Sequence, residues 1–289
     1  MQGLLVTNEF FRTEKFDGIY DMLCAAFKKG GLPLTRATNA ETALEISRSG
    51  RLKDINFILF WDKDVLLAKR LENLGYKVIN SSRVIEICDS KALTAAVFEN
   101  SGIKTPKTFI APFTYDNVGY TSYGFLERAA DILGFPMVVK ENFGSFGEQV
   151  YLIADMNGLK SLCKRLSPRG FIMQEYVASA AGTDVRIHVV GDRAVAAVKR
   201  TAKNGGFISN VTNGGQMSAF SPPKEFLDLA IRVCSYIGAD FAGVDLLFGK
   251  DGEPILCEIN SNAHFKNLRD ATGINVASSI AEYVKTVIV

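Results

Sequence analysis

At 289 residues, 47% hydrophobic and 22% charged, the chain is too long for one small domain and too apolar for disorder, so two or three subdomains are expected. A net charge of +2 supplies no field strong enough to recruit nucleic acid or a membrane surface, and neither is expected as a partner. The five cysteines (Cys24, Cys88, Cys163, Cys234, Cys257) lack CxxC spacing, which argues against a disulfide frame or zinc site and for reduced core residues.

The first ~85 residues alternate in character, as a parallel α/β sheet requires. "GLLVTN" is a predicted strand, "FDGIYDMLCAAFKKGG" a helix with glycines at its end, "NAETALEISRSG" a second helix, "INFILFW" a strand, "DVLLAKRLENLG" a helix and "YKVIN" a strand. No GxGxxG follows the first strand, which disfavours a nicotinamide-dependent dehydrogenase. "DSKALTAAVFENSG" predicts a helix capped by Asp89 or Ser90. Beyond it come "KTFIA", the helix "GFLERAADILG", two strands in "FPMVVKENFGSFGEQVYLI", the helix "DMNGLKSLCKRL" and the strand "GFIMQEYV". The remainder is predicted as α+β: a hairpin "TDVRIHVVGDRAVAAVKRT", a Gly/Asn loop, the helix "PKEFLDLAIRVCSYIG", a second hairpin and the closing helix "INVASSIAEYVKTVIV". "MQGLLV" lacks the basic flank of a signal peptide and no apolar run approaches the ~18 residues of a membrane span, so a cytoplasmic protein is expected.

The second hairpin, "FAGVDLLFGKDGEPILCEIN", carries the strongest chemical signal. With Asp251-Gly252 as a two-residue turn, Leu246 faces Cys257 and Asp245 faces Glu258, while Asn260 shares the Glu258 face. Opposed carboxylates repel, and a hard divalent cation removes the conflict, since Mg²⁺ takes Asp, Glu and Asn oxygens beside phosphate. A solvated face, or one carboxyl held protonated, is the alternative. The same counting about Gly191-Asp192 sets Asp184 opposite Lys199 with Arg186 on their face, a cross-strand salt bridge, and sends Arg200 to the other face unless a bulge intervenes. Lys140 ends an apolar strand before the glycine loop Gly144-Ser145-Phe146-Gly147, which can fold over phosphates, or is a plain hairpin with a solvated lysine. Lys91 opposes the dipole of its own helix, which suggests a nearby anion. The end of "FIMQEYV" can present backbone groups to a purine and Glu175 to ribose hydroxyls. Asn210 is a candidate phosphate or metal ligand. His188 reads as structural and His264 as the more functional histidine by position.

The order of these signals resembles the ATP-grasp superfamily, most closely its RimK-like amino-acid ligases, through "VINSSRVIEICDSKALT", "TDVRIHVVGDRAVAAVKRTA", "FISNVTNGG", "GADFAGVDLLF", "EPILCEINSN" and "ATGINVA". The resemblance implies a preATP-grasp α/β domain over 1–88 and an ATP-grasp fold with lobes at 89–176 and 177–289. It implies ATP bound by Lys91, Lys140, the glycine loop, the Glu175-Tyr176-Val177 hinge, Asp184 and Asn210, and Mg²⁺ (Mn²⁺ as the alternative) on Asp245, Glu258 and Asn260. The implied reaction is carboxylate–amine ligation through an acylphosphate, with Arg186 or Arg200 spreading the transferring charge; a non-catalytic ATP-binding protein of the same fold is the rival. Substrates are expected to be small-molecule or peptide acids and amines, with a carrier protein and a homo-oligomer left open. Many relatives carry arginine where this chain has Ile208, and a basic residue near Thr212-Asn213, so a less anionic substrate is expected. "FKN" after the metal strand is similar to the "FRN" of ligases in carrier-protein lysine biosynthesis.

Overall fold

The computed structural model describes residues 1–11, 13–145, 147–203 and 215–288. In its first sheet β1 (Gly3–Thr7), β2 (Leu34–Thr38), β3 (Phe57–Phe60) and β4 (Lys77–Ile79) run parallel in the order β2-β1-β3-β4. Every residue of β1 and β3 is buried, which is why "FILF" is an unbroken apolar run instead of an alternating one. The crossovers are α1 (Glu14–Lys29), α2 (Asn39–Ser49) and α3 (Val65–Asn73). Thr38 and Glu41 close a reciprocal capping box on α2, and Asp64 caps α3 through the Leu67 N–H.

One helix was expected around Lys91, and two are present: α4 (Ser82–Asp89) and α5 (Lys91–Phe98). Ser90 breaks them apart, its extended backbone aiming Oγ at the Leu93 N–H at 3.1 Å. At eight residues, α4 is too short for periodicity to reveal.

The second sheet is antiparallel, ordered β5-β8-β6-β7, from β5 (Thr108–Ile110), β6 (Met137–Glu141), β7 (Val150–Ile153) and β8 (Phe171–Glu175). With α6 (Gly124–Leu133) and α7 (Met156–Leu166) it builds its own core around Leu126, Met137, Val139, Leu159 and Phe171. The third sheet, also antiparallel, is ordered β11-β10-β9-β12-β13: β9 (Thr183–Val190), β10 (Arg193–Thr201), β11 (Gln216–Ala219), β12 (Phe241–Phe248) and β13 (Pro254–Asn260). Strand β11 and helix α9 (Lys266–Thr272) occupy stretches expected to be loop. Helix α8 (Lys224–Ile237) covers one face of this sheet, while α9 and α10 (Val276–Val287) pack the other against α1. The first and third sheets therefore share one core, in which Leu5, Ile19, Leu59 and Ile79 meet Val190, Val198, Phe241 and Ile280. Asn80, fully buried at the end of β4, clasps them together. Its Nδ2 donates to the carbonyls of Phe241 (2.8 Å) and Ser261 (3.1 Å), and its Oδ1 accepts from the N–H groups of Asp240 (2.8 Å) and Phe241 (3.3 Å).

Both hairpin counts need correction. Between β12 and β13 the turn has three residues, Lys250-Asp251-Gly252, closed by Gly249 N–H to Glu253 C=O at 2.7 Å, with Gly252 at φ +84° in the left-handed region such loops demand. Leu246 therefore faces Leu256, not Cys257, and an irregularity at Cys257 restores Asp245 opposite Glu258. Between β9 and β10 the register slips at Val195, so Arg200 faces Asp184 and joins its face. Lys199 faces Val185 instead, its ammonium 5.6 Å from the centre of the Phe248 ring. Among the described residues no helix is long and apolar enough to cross a membrane.

Candidate active site

The three sheets enclose a cavity of about 430 Å³. It is lined by Lys91, Lys140, Gly144, Ser145, Gly147, Glu175, Tyr176, Val177, Asp184, Arg186, Arg200, Asp245, Glu258 and Asn260, which brings together the predicted site residues that the structure describes. Asn210 and Ile208 lie outside the described residues, as does Phe146.

Four charges on β9, β10 and β12 form a chain of charge-assisted bonds. Arg200 grips Asp184 with Nε and Nη2 at 2.6 and 2.7 Å and reaches Asp245 at 2.9 Å, while Arg186 grips Asp245 with two bonds of 2.6 Å. Burial alone would push the Asp245 carboxyl up, but the guanidiniums of Arg186 and Arg200 hold it down at about 2. Behind this network His188 is buried, and desolvation, reinforced by the Arg186 charge, lowers its pKa to about 3, so its ring is neutral in the fold. His264 lies on the cavity wall with its ring 4.1 Å from that of Phe16.

On the other side of the cavity α5 and β6 supply cations, Lys91 and Lys140, beside the glycine loop. Lys140 makes no ion pair among the described residues, its Nζ lying 3.7 Å from the Cys257 sulfur. Lys91 Nζ donates to the Gly144 carbonyl at 3.1 Å and stands 3.9 Å from Glu258. Burial lowers the Lys91 pKa and Glu258 partly restores it, while Lys140 and Lys63 press it down further. Asn142 fastens the loop to α5: its Oδ1 accepts from Ser90 Oγ (2.9 Å) and Ala92 N–H (2.8 Å), and its C=O from Lys91 N–H (3.0 Å). Glu175, expected to face ribose hydroxyls, gives Oε1 to the Lys107 N–H at 2.8 Å.

Asp245, Glu258 and Asn260 carry the oxygen donors that a hard divalent cation takes. The Glu258 carboxylate is one-third exposed on the cavity, and its one ion-pair partner among the described residues is Lys91 at 3.9 Å. Two carboxylates and one amide are too few for a closed protein cage, so phosphate oxygens or water would complete the octahedron. No group of three His, Cys, Asp or Glu side chains suited to a metal occurs among the described residues.

The sequence reading missed a further wall, from the first sheet: Asn8, Phe11, Phe16, Tyr20, Trp61, Asp62 and Lys63. The signal was "WDKD" immediately after an all-apolar parallel strand, since ligands of parallel sheets bind beyond the strands' carboxyl ends. Lys63 pairs with Asp89 and donates to Ser145 Oγ at 3.1 Å, joining this wall to the glycine loop.

A family model of the RimK-like ATP-grasp domain matches residues 88–284. The chain belongs to that family. It is 31% identical over 224 residues to "Beta-citrylglutamate synthase B" of Danio rerio, a match covering 77% of this chain and 54% of that protein. It is 34% identical over 233 residues to an uncharacterized protein of Mycoplasma pneumoniae, covering 78% and 80%. The chain thus spans little more than half the length of the Danio rerio relative. The crystal structure of a RimK domain ATP-grasp protein from Sphaerobacter thermophilus superposes with a TM-score of 0.74 at 19% identity, over 98% of this chain and 99% of that one, so the fold is ATP-grasp.

Proposed function

We propose that this protein is an ATP-dependent carboxylate–amine ligase that forms an amide bond through an acylphosphate and releases ADP and phosphate. The observation that carries the reading is the facing of two unlike walls across one cavity. Asp245, Glu258 and Asn260 stand on one side, with Lys91, Lys140 and the glycine loop on the other. The names of synthases and ligases among the relatives support it. The domain division at 88/89 and 176/177 belongs to the same proposal, with ATP held between the second and third sheets.

Phosphoryl transfer needs positioning and neutralised charge more than an unusual nucleophile. Lys91 and Lys140 bind phosphate oxygens, and the backbone of Gly144, Ser145 and Gly147 covers them and excludes water that would hydrolyse the acylphosphate. Tyr176 and Val177 offer backbone groups to the purine beside Glu175. Mg²⁺, or Mn²⁺, held by Asp245, Glu258 and Asn260 would offset phosphate charge when bound. Arg186 is the better candidate for the arginine that meets the transferring charge, because both arginines spend a fork on a carboxylate but Arg200 holds two of them and is the more buried. The acid and the amine are small molecules or peptides. Scoring ADP release across free amino acids and dipeptides, beside equilibrium binding of Mg·ATP, tests the reading. Amide product with stoichiometric ADP supports it, and Mg·ATP binding without turnover on any pair would instead make the chain a nucleotide-binding protein.

A further inference from the structure

Asp62 is a carboxylate sealed into the cavity wall whose hydrogen-bond partners among the described residues are all neutral. It is 6% exposed, and its bonds come from Asn8 Nδ2 at 3.1 and 3.3 Å and from the Lys63 backbone N–H at 2.8 Å. The charges around it are engaged elsewhere. Lys63 turns its ammonium to Asp89 and Ser145, Arg36 pairs with Asp17 at 2.6 Å while lying over the Tyr20 ring at 4.5 Å, and Asp64 caps α3. Among the described residues no lysine, arginine or histidine forms an ion pair with Asp62. An ionised carboxylate removed from water calls for a cation, and its absence is costly. Burial pushes the Asp62 carboxyl up, and the bonds from Lys63 N–H and Asn8 restrain it.

The surroundings suit a cation from outside. Asn8 accepts the N–H groups of Phe10 and Phe11 at 2.9 and 3.0 Å, so one side chain both holds Asp62 and sets the turn that carries Phe11. Phe11 packs edge-on to Phe16 at 4.8 Å, Phe16 lies 6.3 Å from Tyr20, and all three line the cavity with Trp61. Aromatic faces attract an ammonium and give a carboxylate nothing. The lysines at the glycine-loop end favour an anion, so a zwitterion has opposite ends of the cavity to align with.

We propose that Asp62 is the anchor of an ammonium subsite, and that the substrate seated between the first and third sheets carries a cationic amino group held against this carboxylate within the Phe11, Phe16 and Tyr20 wall. The assignment deepens the ligase reading and rests on it for the identity of the reaction. It agrees with the less anionic substrate expected from Ile208.

Trp61 is the sole tryptophan and lines the cavity, so its fluorescence reports occupancy without turnover. The intact chain is titrated at constant ionic strength with butylammonium, 1-butanol and butyrate. Butylammonium is expected to bind at least tenfold tighter than 1-butanol. Asp62→Asn should bring that ratio close to one while Mg·ATP binding stays at the parental level. Equal binding of the three probes by the parent, or an unchanged ratio in Asp62→Asn, overturns the subsite. Should the variant not fold, the parent supplies the test. Butylammonium binding must weaken as acid protonates Asp62 while 1-butanol binding holds, and a parallel response of both overturns it. Absence of ADP release with every substrate would remove the ligase reading and leave these outcomes untouched.

Discussion

Replacing Arg200 with methionine separates a structural guanidinium from a reacting one. Arg200 is 5% exposed and serves Asp184 with two short bonds and Asp245 with one. Asp245 retains Arg186 in the variant, while Asp184, itself 8% exposed, loses both bonds of the Arg200 fork. Removing one partner of a buried ion pair costs about 3–5 kcal/mol, and that loss is expected for Arg200→Met at pH 7.5. Arg186→Met leaves Asp245 with Arg200 and opens on the cavity, so about 1.5–3 kcal/mol is expected there, the worth of hydrogen bonds to a charged group. Urea unfolding followed by Trp61, which is 2% exposed and alone in the chain, measures both. In the parent, the Asp245 carboxyl lies at about 2, below its unfolded value, so the stability it contributes persists above pH ~4 and is lost only as pH falls toward 2. A deficit under about 1 kcal/mol, or a larger one for Arg186→Met, refutes the assignment of roles.

Glu258→Gln should leave unfolding unchanged and lower Mg·ATP use tenfold or more, about 1.4 kcal/mol per decade; activity and magnesium dependence equal to the parent's would remove Glu258 from the metal set. Amide exchange over Asn142–Ser145 should slow when Mg·ATP is added, because beyond Asn142 the stretch is held by two lysine side chains, Lys91 on Gly144 and Lys63 on Ser145; identical protection with and without nucleotide would deny it a covering role. The neutral His188, its pKa lowered from 6.5 to about 3, makes stability full above pH 6.5 and decline as pH falls toward 3. The loss between pH 6.5 and 5 should be about 2 kcal/mol and absent in His188→Gln. Equal slopes in the two proteins would show that His188 is not the titrating group.

Much of the fold was legible because it rests on apolar periodicity: the parallel sheet, the helices α6, α7, α8 and α10, and both hairpins all declare themselves in sequence. What stayed hidden was local geometry. A bulge costs one residue and leaves no mark on composition, yet the slip at Val195 moved Arg200 onto the Asp184 face and Lys199 off it. In the second hairpin two such errors cancelled, the longer turn and the irregularity at Cys257, so Asp245 met Glu258 for a reason the counting did not contain. Short α4 and α9, of eight and seven residues, carry too few apolar positions to register. Asp62 and Lys63 were missed for a different reason: "WDKD" marks the carboxyl end of a parallel strand, but only the packing of the first sheet against the third brings it to the cavity.

Asn80 makes the molecule mechanically lopsided. With the first and third sheets riveted into one block, the second sheet is left as a jaw, its two chain crossings side by side where Glu175 N–H meets Lys107 C=O at 3.0 Å and the Glu175 carboxylate meets Lys107 N–H, and its far end fastened by Asn142 to α5 and by Ser145 to Lys63. The glycine loop rides on the jaw; Asp62, Arg186 and Asp245 stay with the block. Stiffening the Lys107–Glu175 strap should alter turnover while leaving selectivity where it was.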